Sequence, residues 1–471
     1  MKGSSIKDFT YPPAAPLSFL VIYADSFASA IGNWVEWKTM AGYEVVEVPT
    51  SITGSTTTSI FNFIKDAYET WSNKPVFVLF VGDTDTIPTY MPYCDMVNCA
   101  DDMSYTDLDS GGYWTPDILL GRWPARTQTQ INNIINKTLQ FTKVDMPDNN
   151  YLKDSVWLAS ADYSTMVEAT HEYCFGNYVS PADPVNNVIH RVYERTGGKT
   201  RDFRNNVNEG RSIICYSGHG YGDGTGTASV DFVISDVKAL TMNDKVSNAM
   251  IYACGTNLFN QVASFGEVWL TEERKGSVSY WGTSDSSWWD EDDTLERKSL
   301  KSMYNEGQQV IAAAHYTGLM EVHRVYGSSS SRYYFRIYNL MGDPSLDFVS
   351  RIPKILNISC ASEITVGPQN FTVTVTDDSG PVTGALVGIY KTDTLFGAGY
   401  TGGSGEIIIN IDPDTTGDMT VTATAHNHVP ADTSVVVKMS SAIPILNWYS
   451  VFFLILVLSG ILALNKRLFL S

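Results

Sequence analysis

Two stretches, Ser212-Ile-Ile-Cys-Tyr-Ser-Gly-His-Gly220 and Ala249-Met-Ile-Tyr-Ala-Cys-Gly255, decide the fold. Each is a short apolar run that ends in a glycine-flanked reactive residue. Apolar runs that are continuous rather than alternating suit strands of a parallel sheet covered on both faces. Similar runs are Phe19–Tyr23, Val45–Val48, Val76–Val81, Ile118–Leu120, Val156–Ser160, Val188–Tyr193 and Ser277–Trp281. Helical patterns lie between them at Ala28–Ala41, Ser59–Trp71, Thr127–Lys143, Thr165–Tyr178 and Phe265–Glu273. Gly42 suits a helix C′ position, and the Ser/Thr-rich start before Ser59 suits N-capping. The alternation predicts an α/β fold built on a parallel sheet, in subdomains spanning 15–145 and 146–350.

In such a sheet, ligands and reactive groups collect at the carboxyl ends of the strands. Two neighbouring strands would bring His219 and Cys254 to one edge. A neutral imidazole there can take the thiol proton and later give it to a leaving amine. The backbone N–H groups of Gly220 and Cys254 are suited to hold an oxyanion. Alone, a cysteine at a strand end is more often a small buried hydrophobe. The pairing with Gly218-His219-Gly220 is what shifts the reading to a catalytic dyad.

Beyond Pro353 the texture changes. Phe371–Thr376, Ala385–Tyr390, Glu406–Ile411, Thr420–Thr424 and Ser434–Lys438 are short β-type runs separated by Gly- and Asp-rich turns. Residues 353–438 read as an all-β sandwich of immunoglobulin size. Trp448–Leu464 is a charge-free, mostly apolar run followed by Lys466 and Arg467. It reads as a C-terminal transmembrane helix within 443–467, with a cytoplasmic basic end and the rest of the chain outside. Its alternative is a buried helix. Met1–Pro16 has no apolar h-region, so no signal peptide is read there.

The 471 residues carry a net charge of −19, which argues against nucleic acid and anionic lipid headgroups as partners. Six cysteines (94, 99, 174, 215, 254 and 360) show no disulfide-framework or zinc-knuckle spacing, although Cys94 and Cys99 are close enough to bridge within a loop.

Strand–His-Gly, a spacer, then strand–Ala-Cys resembles the clan of caspases, legumain, clostripain and the gingipains, with the gingipain family most similar. The resemblance extends over Leu17 to Phe348. It includes Phe77-Val-Leu-Phe-Val-Gly-Asp83 with Ile87-Pro88, Pro116-Asp-Ile-Leu-Leu-Gly-Arg122, and Tyr338-Asn-Leu-Met-Gly-Asp-Pro-Ser-Leu346. It implies a caspase-like catalytic domain followed by an immunoglobulin-like domain, and cleavage of protein or peptide substrates after Arg or Lys. Asp162 falls where the family has a glutamate that supports the catalytic histidine. Glu168 falls near the acid at the base of the S1 pocket. Ser287 and Trp288 resemble the stretch whose tryptophan walls S1, with Trp289 an equal candidate. No cofactor is required for the chemistry, but the resemblance implies structural calcium. The acidic run Asp290-Glu-Asp-Asp293 is either a solvated face or part of such a site. Ile443-Pro-Ile-Leu, the apolar run and the basic end resemble tripartite sorting signals, which implies secretion machinery as a partner and a cell-surface or extracellular location. A catalytically silent surface adhesin on the same fold, and a peptidase that processes only itself, are the competing functions.

Overall fold

The computed structural model describes residues 14–95, 98–109, 115–183, 187–226 and 229–439. The tail reading at 443–467 lies outside the described residues. Among the described residues, no helix is long and apolar enough to cross a membrane.

Ten strands form one sheet: β1 (Leu17–Tyr23), β2 (Tyr43–Pro49), β3 (Phe77–Val81), β4 (Leu119–Trp123), β5 (Asp154–Ala159), β6 (Val188–Tyr193), β7 (Ile213–Ser217), β8 (Ser247–Tyr252), β9 (Ser277–Thr283) and β10 (Tyr338–Gly342). Their order is β2-β1-β3-β4-β10-β9-β8-β7-β5-β6. All pairings are parallel except β9–β10. Strands β3, β4, β7, β8 and β9 are buried along their whole length, as the continuous apolar runs predict. Strand β6 differs: its first four residues are exposed or half-buried, because it forms the edge of the sheet.

Helices cover both faces. Thr56 with Ser59 and Thr127 with Gln130 make reciprocal caps that start helices Thr57–Thr70 and Gln128–Thr142. Strand β10 was legible only as a motif, yet it joins the two halves by pairing with β9 on one side and β4 on the other. Gly121 is required at that seam: a Cβ there would sit 2.2 Å from the Gly342 carbonyl oxygen. The buried Arg122 makes a two-pronged bond to Asp102 and donates to the Gly82 and Ile87 carbonyls, each at 2.9 Å. Asp343 receives Lys38 at 2.9 Å and the Trp34 indole at 3.2 Å. The three quoted motifs therefore meet at one junction, which holds the sheet continuous.

After Phe348 the chain forms two larger sheets beside a short ladder of Lys354–Ile355 with His428–Val429. One contains Asn357–Cys360, Gln369–Asp377, Gly380–Pro381 and Glu406–Ile411, and the other Glu363–Thr365, Ala431–Lys438, Gly417–Thr424, Leu386–Lys391 and Thr394–Tyr400. They share a core of Phe371, Val373 and Val375 against Val387, Ile389, Val421 and Val435. This unit meets the first helix closely at Gly388, where a Cβ would lie 2.3 Å from the Met40 carbonyl oxygen. Cys94 and Cys99 are disulfide-bonded.

Candidate active site

The register between β7 and β8 pairs Ser217 with Tyr252. His219 and Cys254 each lie two residues beyond that pair, so both emerge at the same carboxyl edge. The two turns touch. A Cβ on Gly220 would sit 2.6 Å from the Cys254 carbonyl oxygen and 2.9 Å from the Ala253 Cβ, so only glycine lets them approach. Gly255 follows with φ +61°, in the left-handed region that turns the chain away. The His219 carbonyl is fixed by the Tyr216 hydroxyl at 2.5 Å and the Gly226 N–H at 2.8 Å. Gly220→Ala is accordingly expected to lower kcat/KM at least about tenfold through displacement of the dyad. Kinetics with a peptide substrate would check this, and an unchanged kcat/KM would refute it.

The His219 ring is half-exposed. Its Nε2 lies 3.2 Å from Asp162 Oδ2, so the shorter acid reaches it. Trp289 meets the imidazole edge-on at 5.2 Å and stacks on Tyr163 at 5.4 Å. Cys254 is cradled by Ser287, whose N–H donates to Sγ at 3.3 Å and whose carbonyl lies 3.6 Å from it. Burial pushes the Cys254 thiol up, and the Ser287 N–H draws it partly back.

Ser287 also reaches into the acidic run. Its hydroxyl donates to Asp292 Oδ2 at 2.6 Å, and the Tyr338 hydroxyl donates to Oδ1 at 2.6 Å. Glu291, Asp292 and Asp293 of that run bond separate side chains. Asp293 bonds Thr170 and Arg297, while Asp292 turns inward and is buried. The run does not gather into a calcium-type cage. Burial pushes the Asp292 carboxyl up to about 7, with the Ser287 and Tyr338 hydroxyls opposing. Ser217, Tyr252, Trp289, Asp292 and Glu296 help enclose a small cavity of about 10 Å³.

Glu168 is not among the residues lining this cavity. Its carboxylate is taken by Arg195, with Nε at 2.9 Å and Nη2 at 2.5 Å. Trp288 leans against Tyr333 at 4.6 Å, and its N–H donates to the Tyr334 hydroxyl at 2.8 Å. Trp289 is therefore the tryptophan beside the histidine. Sequence reasoning gave Ser217 and Glu296 no part near the site, and read Asp292 only within the acidic run as a solvated face or calcium site. The available signals were the position of Ser217, two residues before His219, and the spacing of Trp289, Asp292 and Glu296 at helical intervals.

A second histidine–cysteine pair, His171 and Cys215, is fully buried in the core, with no route to a substrate.

The model of peptidase family C25 matches residues 13–349. Lys-gingipain W83 of Porphyromonas gingivalis is 26% identical over 453 aligned residues, covering 88% of this chain and 25% of the relative. Gingipain R2 of the same species is 22% identical, covering 78% of this chain and 52% of the relative. The chain thus spans a minor part of the first relative's length. A solved complex of the Porphyromonas gingivalis RgpB pro- and mature domains superposes with a TM-score of 0.80 at 20% identity, covering 89% of this chain and 100% of that one. That likeness concerns the fold.

Proposed function

The chain belongs to peptidase family C25, and on that premise we propose that it is a cysteine endopeptidase with Cys254 as nucleophile and His219 as proton carrier. The single observation that carries the reading is the β7–β8 register, with the glycine-dependent contact between the two turns. Nε2 of His219 is engaged by Asp162, which leaves Nδ1 to receive the thiol proton. The thiolate attacks the scissile carbonyl, and the Gly220 and Cys254 N–H groups hold the oxyanion. The imidazolium then protonates the departing amine as the C–N bond breaks. A water, deprotonated by the same imidazole, attacks the thioester and releases the acid.

We infer preference for Arg or Lys at P1. Asp292 lies next to Ser287, which cradles Cys254, and a carboxylate in a partly desolvated pocket forms charge-assisted bonds to a cationic side chain. On this reading the S1 acid is Asp292 in place of Glu168, whose carboxylate is taken by Arg195. A P1-randomised fluorogenic library tests the whole reading. Release after Arg or Lys is expected, and no release from any member contradicts peptidase action.

Asp162 is a positioning residue on this reading. Its side chain is 76% exposed, so water competes for the same bond. Asp162→Ala is expected to lower kcat by about tenfold, with KM little changed and partial recovery in Asp162→Glu. Steady-state kinetics on both variants decide it, and loss of the fold rather than of kcat would contradict the assignment.

Residues 353–438 are proposed to be immunoglobulin-like, which their two facing sheets support. Cell-surface or extracellular placement, with sorting machinery acting on the tail, is supported by Ile443-Pro-Ile-Leu and the apolar run after it. Structural calcium, implied by the resemblance, would need oxygen donors other than the divergent acids at 290–293.

A further inference from the structure

The buried histidine–cysteine pair has a third member. Donor atoms of His171, Cys215 and Glu296 all lie within 4.8 Å of one another. The three come from separate elements: helix Ser164–Cys174, strand β7 and helix Trp289–Asn305. All three residues are at most 1% exposed. His171 Nε2 sits 3.3 Å from Glu296 Oε1, yet neither ring nitrogen nor that oxygen makes a hydrogen bond. Buried polar atoms nearly always have a well-made partner; here His171 and Glu296 share only a 3.3 Å contact without hydrogen-bond geometry, and three such donors gathered in a dry core point to an ion among them.

The surroundings prepare the donors. The His171 ring is held edge-on by Trp157 at 5.2 Å and flanked by Phe175 and Tyr193. The Ser217 hydroxyl bonds the other carboxylate oxygen, Glu296 Oε2, and leaves Oε1 turned toward the ring. Cys174, one turn after His171 on the same helix face, is another buried thiol beside the group. His315 gives the contrast. It is equally buried and also makes no side-chain hydrogen bond, but it lies flat on Trp281 at 4.5 Å and belongs to no such cluster.

We propose that His171, Cys215 and Glu296 bind one zinc ion, with Cys174 available as a fourth ligand. An imidazole, a thiolate and a carboxylate are a zinc donor set, whereas calcium and magnesium take oxygen. Charge agrees: one thiolate and one carboxylate neutralise a divalent ion, so three-ligand binding leaves no net charge in the core. On binding, the Cys215 thiol gives up its proton to solvent and the S–Zn bond forms with no change of oxidation state. The ion would fasten two helices to the strand that leads into His219, and one of those helices carries Trp289 and Asp292. It is a structural site, separate from the dyad.

The test uses the full chain as a Cys254→Ala protein, so that the dyad cannot contribute a thiolate. Zinc content after dialysis is expected to be about one per chain. Cobalt exchanged for zinc is expected to give a thiolate charge-transfer band. Adding Cys215→Ser should remove that band and lower bound zinc at least about tenfold. Should that double variant not fold, zinc-edge X-ray absorption on the Cys254→Ala protein decides. One or two sulfur scatterers with nitrogen and oxygen support the site. No zinc uptake, a shell without sulfur, or a cobalt band that survives Cys215→Ser overturns it.

Discussion

Replacing Cys254 with alanine is expected to lower peptide hydrolysis by about four orders of magnitude or more, with the thermal midpoint shifted by no more than about 2 °C. The activity effect follows from the loss of the covalent route. The Ser287 cradle, the His219 imidazole and the backbone donors can hold a substrate, but none supplies a nucleophile in place of Sγ. The small stability effect follows from position. Cys254 is half-buried at a strand end, and its sulfur is held by the backbone of Ser287 rather than packed in the apolar core. Cys215→Ala makes the instructive comparison. That side chain is fully buried within β7, so its removal should cost stability by the usual core-truncation route. Calorimetry and a fluorogenic assay on the two variants check the pair. Substantial residual turnover by Cys254→Ala contradicts the nucleophile assignment.

Asp292→Asn is expected to lower kcat/KM for Arg- and Lys-P1 substrates by roughly a hundredfold and to leave neutral P1 substrates nearly unchanged. The magnitude follows from losing charge-assisted bonds of roughly 1.5–3 kcal/mol each. Glu168→Gln should leave P1 preference unchanged, because Arg195 already occupies that carboxylate. The pH dependence has a definite sign. Burial holds the Asp292 carboxyl up near 7, so below that pH the pocket has lost this charge. Wild-type kcat/KM on basic P1 should therefore rise with pH through about 7, and the asparagine variant should lose that component. Stability moves the other way. The folded carboxyl releases its proton at higher pH than an unfolded aspartate near 3.9, so the folded state binds more protons between the two values. The contribution of Asp292 to stability is thus full at low pH and declines as pH rises through about 7. Asp292→Asn should flatten that decline. A library profile, a pH–rate series and melting curves on both variants test these points. An unchanged basic preference in Asp292→Asn would rule out Asp292 as the S1 acid.

The convergence of His219 and Cys254 was legible because two local signals coincide: continuous apolar runs that suit sheet strands, and glycines where the backbone must turn. Their adjacency depends on strand order, which the spacing alone does not give and the β7–β8 pairing does. The burial of Asp292 was not legible for a physical reason. Acids at the start of a helix are ordinarily solvated, and nothing local distinguishes Asp292 from Asp290. Its burial comes from Tyr338, which is 46 residues away and reaches its Oδ1 at 2.6 Å. Strand β10 escaped notice as a strand similarly, since its five residues include polar Asn339 and end in Gly342. In the β-rich region, Asn357–Cys360, Glu363–Thr365 and Thr394–Tyr400 were missed because none of them has a fully buried residue. Without an inward apolar face, a strand gives little pattern to read.

The central claim is that Cys254, activated by His219, attacks peptide carbonyls. Labelling the full chain with an arginyl or lysyl acyloxymethyl ketone, followed by peptide mapping, tests it most directly. Modification of Cys254 is the predicted result, with labelling much slower in His219→Ala. Labelling of Cys215, Cys174 or Cys360 instead, with Cys254 left unmodified, would contradict it.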